Sequence, residues 1–159
     1  MLVSEVYKRI MAVNILPVLA VMDRLQFVDI CVGSTDPKHP PCAVVPPSVR
    51  LPDEVSHLVQ SLELGGTPHR VFLRKLYPHQ GLPPHVDDWI PADSGIRRFH
   101  VPLVSHSEII MRWPDDGVEA HLAPGYLYEV RFNRTHEVVN HTDSERIHIQ
   151  IDQVDATIA

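Results

Sequence analysis

The chain has 159 residues, 44% hydrophobic and 21% charged, a composition that suits one globular domain (1–159) with its own core and excludes a disordered segment. Its formal net charge of −6 argues against a nucleic-acid partner, whose phosphates need a basic face. Fifteen prolines imply many turns and edge strands, and 11 histidines raise the chance both of a metal site and of chance motifs.

The first third reads as helical. Val3, Val6, Tyr7, Ile10 and Met11 follow helical spacing, and Ile15 to Leu25 continue apolar around Pro17. The longest apolar run, Ile10 to Met22, contains Asn14 and Pro17 and is far short of the roughly 20 residues that span a bilayer. It is expected to be a core helix, neither a membrane span nor a leader. Gly33 to Pro47 is Pro-rich and reads as a surface loop. Cys31 and Cys42 could pair, but they form neither a disulfide framework nor a CxxC, which favours a reducing, cytoplasmic setting. In LPDEVSHLVQSLE, Pro52 and the acids beside it start a helix whose apolar stripe is Val55, Leu58, Val59 and Leu62, and Gly65-Gly66 ends it. Residues 1–66 are thus expected to form an N-terminal helical layer and a Pro-rich loop.

From Arg70 the character changes. RVFLRKLY, RRFHVPLV, SEIIMRW, GYLYEVRF and RIHIQID read as short strands, separated by turn signals at Pro78 to Pro84, Pro91 to Gly95, Pro114 to Gly117 and Asn140 to Ser144. They predict a mainly β core over residues 69–155, a sandwich or jelly roll with the helices packed on it. In the last strand Ile147, Ile149 and Ile151 alternate with Arg146, His148, Gln150 and Asp152. One face is aliphatic and the other polar, because successive side chains point to opposite faces. The polar face is either solvated or lines a cavity. Arg98 and His100 share a face in the same way.

The chemistry centres on His85-Val86-Asp87. A His-x-Asp at a strand end can present an imidazole and a carboxylate to one metal, and a later histidine completes a two-histidine, one-carboxylate set with open positions, which suits iron(II) oxygenases. His136 lies 51 residues on, with His141 as the fallback, and Arg146 follows 10 residues later on the polar face. A guanidinium fork binds a carboxylate through two parallel hydrogen bonds, the anchor that a metal-chelated keto diacid needs at its far end.

The ordered pieces LYPHQGLPPHVD, RRFHVPL, the glycine of APGYLYEV, HEVVN and RIHIQID, from about Val71 to Asp152, resemble the aspartyl/asparaginyl β-hydroxylase family of 2-oxoglutarate oxygenases. The resemblance implies a double-stranded β-helix (jelly-roll, cupin-like) fold. It implies His85 and His136 as ligands of iron(II), and Arg146 as the clamp on the far carboxylate of 2-oxoglutarate. Arg98 and His100 would be further cosubstrate-binding groups. Asp87 departs from the animal members, which carry glycine there, and makes a full triad His85, Asp87, His136. Arg74 stands where those members place a cosubstrate-binding serine, and either shares its role or marks a differently built pocket. The implied reaction hydroxylates an amino-acid, peptide or other small substrate, with release of succinate and CO2. The loop through Trp89 to Gly95 would border the substrate, Trp89 being either a lining residue or a core aromatic.

Two other readings compete. A cupin-like metal protein, such as a zinc isomerase or a sensor, would use the same histidines but has no need of both Arg146 and Arg98 facing inward. A scaffold with a decayed site would have lost a ligand, whereas all four key residues are present.

Overall fold

The two faces of the last strand are both buried: Ile147, Ile149 and Ile151 on one, Arg146, His148, Gln150 and Asp152 on the other. The strand must therefore lie between two layers. In the computed structural model, which describes residues 5–30, 42–46, 49–88, 90–91 and 94–154, those layers are visible. The order is β1 (Tyr7–Ala12), α1 (Leu16–Leu19), a 3₁₀ turn (Met22–Arg24), β2 (Val28–Ile30), β3 (Cys42–Val44), α2 (Asp53–Ser61), β4 (Thr67–Leu76) and β5 (Leu82–His85). There follow β6 (Ile96–Val104), β7 (Ile110–Trp113), a 3₁₀ turn (Pro114–Asp116), β8 (Val118–Ala120), β9 (Tyr126–Val130), β10 (His136–Val139) and β11 (Arg146–Val154).

All the pairings are antiparallel and make two sheets, β1-β9-β6-β11-β4-β3-β2 and β5-β10-β7-β8. This is the expected jelly roll. Outside the large sheet, Val18, Leu25, Val55, Leu58 and Leu62 pack on Leu73, Phe99, Val101, Leu127 and the three isoleucines of β11. Between the sheets, Leu76, Tyr128 and Val130 meet Leu82, Met111, Trp113 and Val138 of the small sheet. Burial of this apolar surface, at roughly 25 cal/mol per Å², holds both layers to the large sheet.

The helix over 53–61 forms as its pattern predicts. Asp53 and Glu54 lie in its first turn, Val55 and Leu58 are buried, and the carbonyl of Pro52 accepts the amide of Val55 at 3.0 Å. Acids at this end favour the helix dipole.

The helix expected at the N-terminus is corrected in detail. Residues 7–12 are a strand on the edge of β9, with a bulge between Arg9 and Met11. Ile10 and Met11, which a core helix would bury, are exposed. The edge wins because it offers partners a helix lacks: Tyr7 stacks on Trp113 at 5.7 Å between centroids, and the Arg9 guanidinium lies 4.2 Å from the centre of the Tyr126 ring. Among the described residues, what remains helical before α2 is the four-residue α1 and one 3₁₀ turn. Part of the expected Pro-rich loop, Cys42–Val44, is a strand paired with β4. Cys42 is buried there, and Cys31 lies outside the described residues. Among the described residues no helix is long and apolar enough to cross a membrane.

Candidate active site

The small sheet carries the metal-type ligands. In β5 the sequence Leu82-Pro83-Pro84-His85 has two prolines, which cannot donate to a ladder, and β5 accordingly lies at the sheet edge. Gly81 lets it come close to β10, because a Cβ at that position would sit 2.2 Å from the carbonyl oxygen of Val138. His85 and His136 are direct cross-strand partners, so their side chains leave the same face.

Their orientation is fixed by backbone. Nδ1–H of His85 donates to the carbonyl of Pro83 at 2.7 Å, and Nδ1–H of His136 to the carbonyl of Arg134 at 2.8 Å. A carbonyl can only accept, so each ring keeps a proton on Nδ1 and directs its Nε2 inward. Asp87 is placed by its own amide, which donates to the carbonyl of Phe132 at 3.2 Å. Its carboxylate oxygens lie 3.4 Å from Nε2 of His85 and 3.8 Å from Nε2 of His136. The three candidate ligand atoms all fall within 4.8 Å of one another.

Burial alone would raise the pKa of Asp87, but the hydrogen bond with His85 and the charges of Arg98 and His136 hold it well below the usual carboxylate value. Burial, aided by His85, lowers His136 to about 4. For His85 burial is outweighed by Asp87 and the Pro83 carbonyl, which raise it. Two imidazoles and a carboxylate on one face, with room opposite, fit a divalent transition metal in an open site once it displaces any proton from their Nε2 atoms.

The large sheet supplies a cationic wall. Arg74 of β4, Arg98 and His100 of β6, and Arg146 and Gln150 of β11 line a narrow cleft together with the three ligands and Leu82, Met111, Phe132 and Val138. Of the polar face of β11, Arg146 and Gln150 thus line the cleft, while His148 and Asp152 are buried outside its lining. Arg146 is buried, and burial followed by the charge of Arg74 lowers its pKa to about 9. Among the described residues it has no carboxylate partner. Arg98 is differently placed: it grips Asp152 with Nε–Oδ1 at 2.7 Å and Nη2–Oδ2 at 3.0 Å, and its Nη1 also donates to Asp87. Asp152 is fully buried and receives Arg70 as well, at 3.2 Å.

The other histidines, aromatics and polar residues near the cleft and its sheets fall as follows. His100 is buried in the cleft wall and meets His148 through their Nδ1 atoms at 3.0 Å. Trp113 is core, its Nε1–H donating to the carbonyl of Arg131. Asn140 orders the turn after β10, accepting from Thr142 and donating to Ser144 and Tyr77. Arg97 faces away and pairs with Glu129. His79 and His106 are exposed and His121 half-buried, none in the cleft wall, and exposed His141 is outside the ligand group. Trp89 lies outside the described residues. Sequence reasoning missed the two carbonyls that orient the histidines, the Arg98–Asp152 clamp and the His100–His148 contact. Only the alternation of β11 hinted at the last two.

A family model described as Aspartyl/Asparaginyl beta-hydroxylase matches residues 38–155, so it begins well before the motifs themselves. Among solved structures, an oxidoreductase of the 2OG-Fe(II) oxygenase family from Burkholderia pseudomallei is similar with a TM-score of 0.65 and 14% identity, covering 94% of this chain and 88% of that one. A viral collagen prolyl hydroxylase from Paramecium Bursaria Chlorella virus-1, in complex with 2OG, gives 0.60 at 12% identity, covering 94% and 97%. A Pseudomonas putida prolyl-4-hydroxylase gives 0.57 at 14% identity, covering 94% and 92%. At such identities these likenesses concern the fold. No curated protein matches the chain significantly.

Proposed function

Since the chain belongs to the aspartyl/asparaginyl β-hydroxylase family, we propose that it is an iron(II)- and 2-oxoglutarate-dependent dioxygenase that hydroxylates an amino-acid, peptide or other small substrate. The observation that carries this reading is the pairing, in one cleft, of the His85–Asp87–His136 group with the buried Arg146, which lacks a carboxylate partner among the described residues. Iron(II) would be held by His85, Asp87 and His136. When bound there, iron and 2-oxoglutarate supply the oxidising chemistry that hydroxylates the substrate and releases succinate and CO2.

The chain's own residues bind and orient. The carbonyls of Pro83 and Arg134 keep both Nε2 atoms directed at one point, open to a metal once any proton there is displaced. Arg146 receives the far carboxylate of the cosubstrate, and that anion compensates a cation otherwise buried at a cost. Arg74 adds positive potential from the neighbouring strand. Arg98, fastened to Asp152, ties Asp87 to the large sheet and so fixes one ligand relative to the cationic wall. Leu82, Met111, Phe132 and Val138 keep the cleft poor in water. The cupin-like alternative leaves Arg146 and Arg74 without a purpose.

The test is an anaerobic titration of the iron(II)-loaded protein with 2-oxoglutarate, following the visible charge-transfer band of the chelate. The band is expected in the wild type and absent in Asp87→Ala and Arg146→Ala. Iron bound without a band would sink the oxygenase reading.

A further inference from the structure

Behind the cleft wall, His148 of β11 is almost fully buried, next to His100 of β6. Their rings meet edge to face, with Nδ1 to Nδ1 at 3.0 Å. Burial keeps both rings neutral, with the charge of Arg146 acting in the same direction. Two neutral imidazoles joined through their Nδ1 atoms share one proton along that line, and each carries its other option on Nε2. Two arrangements exist. Either His148 donates and His100 keeps its proton on Nε2, or His100 donates and the proton of His148 sits on its own Nε2.

The surroundings discriminate between them. Nε2 of His148 is buried and has no hydrogen-bond partner among the described residues. A proton there would be an orphaned buried N–H, which folded proteins avoid more strictly than an orphaned acceptor. Arg74, the direct cross-strand partner of His148, has a buried Nε–H that likewise lacks an acceptor among the described residues. A bare Nε2 adds no further unmet donor to a layer that already holds one, whereas a protonated one would add a second. His100 lines the cleft and His148 does not, so the ring edge of His100 opposite the shared contact is the one that meets a ligand.

We infer that His148 is a positioning residue: its Nδ1–H donates to Nδ1 of His100 and so holds the proton of His100 on Nε2, aimed into the cleft as a neutral donor for an anionic cosubstrate. The inference rests on the proposed use of 2-oxoglutarate for its consequence, but the tautomer itself is a property of the chain alone. A histidine whose tautomer is free would present a bare nitrogen part of the time and repel a carboxylate oxygen.

The test is two-bond ¹H–¹⁵N correlation spectroscopy of the full chain labelled at histidine, with zinc in the metal site to keep it diamagnetic. In the wild type, Nε2 of His100 should be the protonated nitrogen and Nδ1 the bare one, with the reverse in His148. His148→Leu should lose that fixed pattern at His100 and raise KM for 2-oxoglutarate about tenfold, with a smaller change in kcat. His148→Asn, whose amide N–H falls near the position of Nδ1, should restore both. A wild-type His100 protonated on Nδ1 would overturn the proposal. So would a His148→Leu protein with His100 and KM unchanged. Should His148→Leu fail to fold, the wild-type spectrum decides alone. A wild type that consumes no 2-oxoglutarate would remove the proposed function, while the nitrogen spectra would still decide the role of His148.

Discussion

The two faces of β11 are equally buried and serve opposite ends. Ile147, Ile149 and Ile151 pack against α2 and the N-terminal segment and hold the molecule together. Arg146, His148, Gln150 and Asp152 occupy positions just as deep, yet among them stand a cation without a carboxylate partner and an imidazole nitrogen without a hydrogen-bond partner, as counted over the described residues. A chain selected for stability alone would fill such a layer with apolar groups. Buried polarity that is left incompletely satisfied marks the face that meets a ligand.

The contrast can be broken most severely at Asp152. Asp152→Ala would take from Arg98 its buried two-point partner, leaving Asp87, and a loss of about 3–5 kcal/mol in unfolding free energy is expected from denaturant titration. Ile149→Ala tests the other face. It should cost about 2–5 kcal/mol while the metal affinity of the molecules that stay folded is unchanged, as isothermal calorimetry would read. Arg146→Met separates the two purposes. Binding of 2-oxoglutarate should weaken by about 100-fold or more, while the thermal midpoint rises because the substitution removes a buried cation worth roughly 1–3 kcal/mol of destabilisation. A lowered midpoint would show that Arg146 is structural. The gentlest test is acid. His136, His100 and His148 are all held below their ordinary value of 6.5, so below that pH the unfolded chain takes up protons that the folded chain refuses. Their contribution is complete above about pH 6.5 and is lost as pH falls toward the lowered values; His85, shifted upward, opposes it with one group against three. Thermal midpoints measured from about pH 7 to about pH 5 should therefore fall, and His148→Leu should flatten the slope.

Much of this was legible in the sequence where a local signal matched the tertiary outcome. The alternation of β11, the β4, β6 and β9 strands, helix α2 and the order His85, Asp87, His136, Arg146 all follow from period and spacing. The misread elements share one cause. An apolar run as short as Tyr7–Ala12 fits a helix or a strand, and what decided between them was a free edge on β9, more than 110 residues away in the chain. β5 was hidden because Pro83 and Pro84 look like a turn unless the strand is known to lie at an edge. The His100–His148 contact spans 48 residues, and no local rule joins such distant positions.

One consequence concerns a residue with no side chain to offer. Gly81 touches neither imidazole, yet a methyl group there would collide with the carbonyl oxygen of Val138 at 2.2 Å, and a carbonyl in a ladder can yield only by carrying its strand along. That strand holds His136, whose partner across the gap is His85. The bite of the candidate metal site is therefore set by the thinness of the chain at Gly81. Widening it should shift preference toward ions that tolerate long, irregular coordination, without altering any atom that binds them.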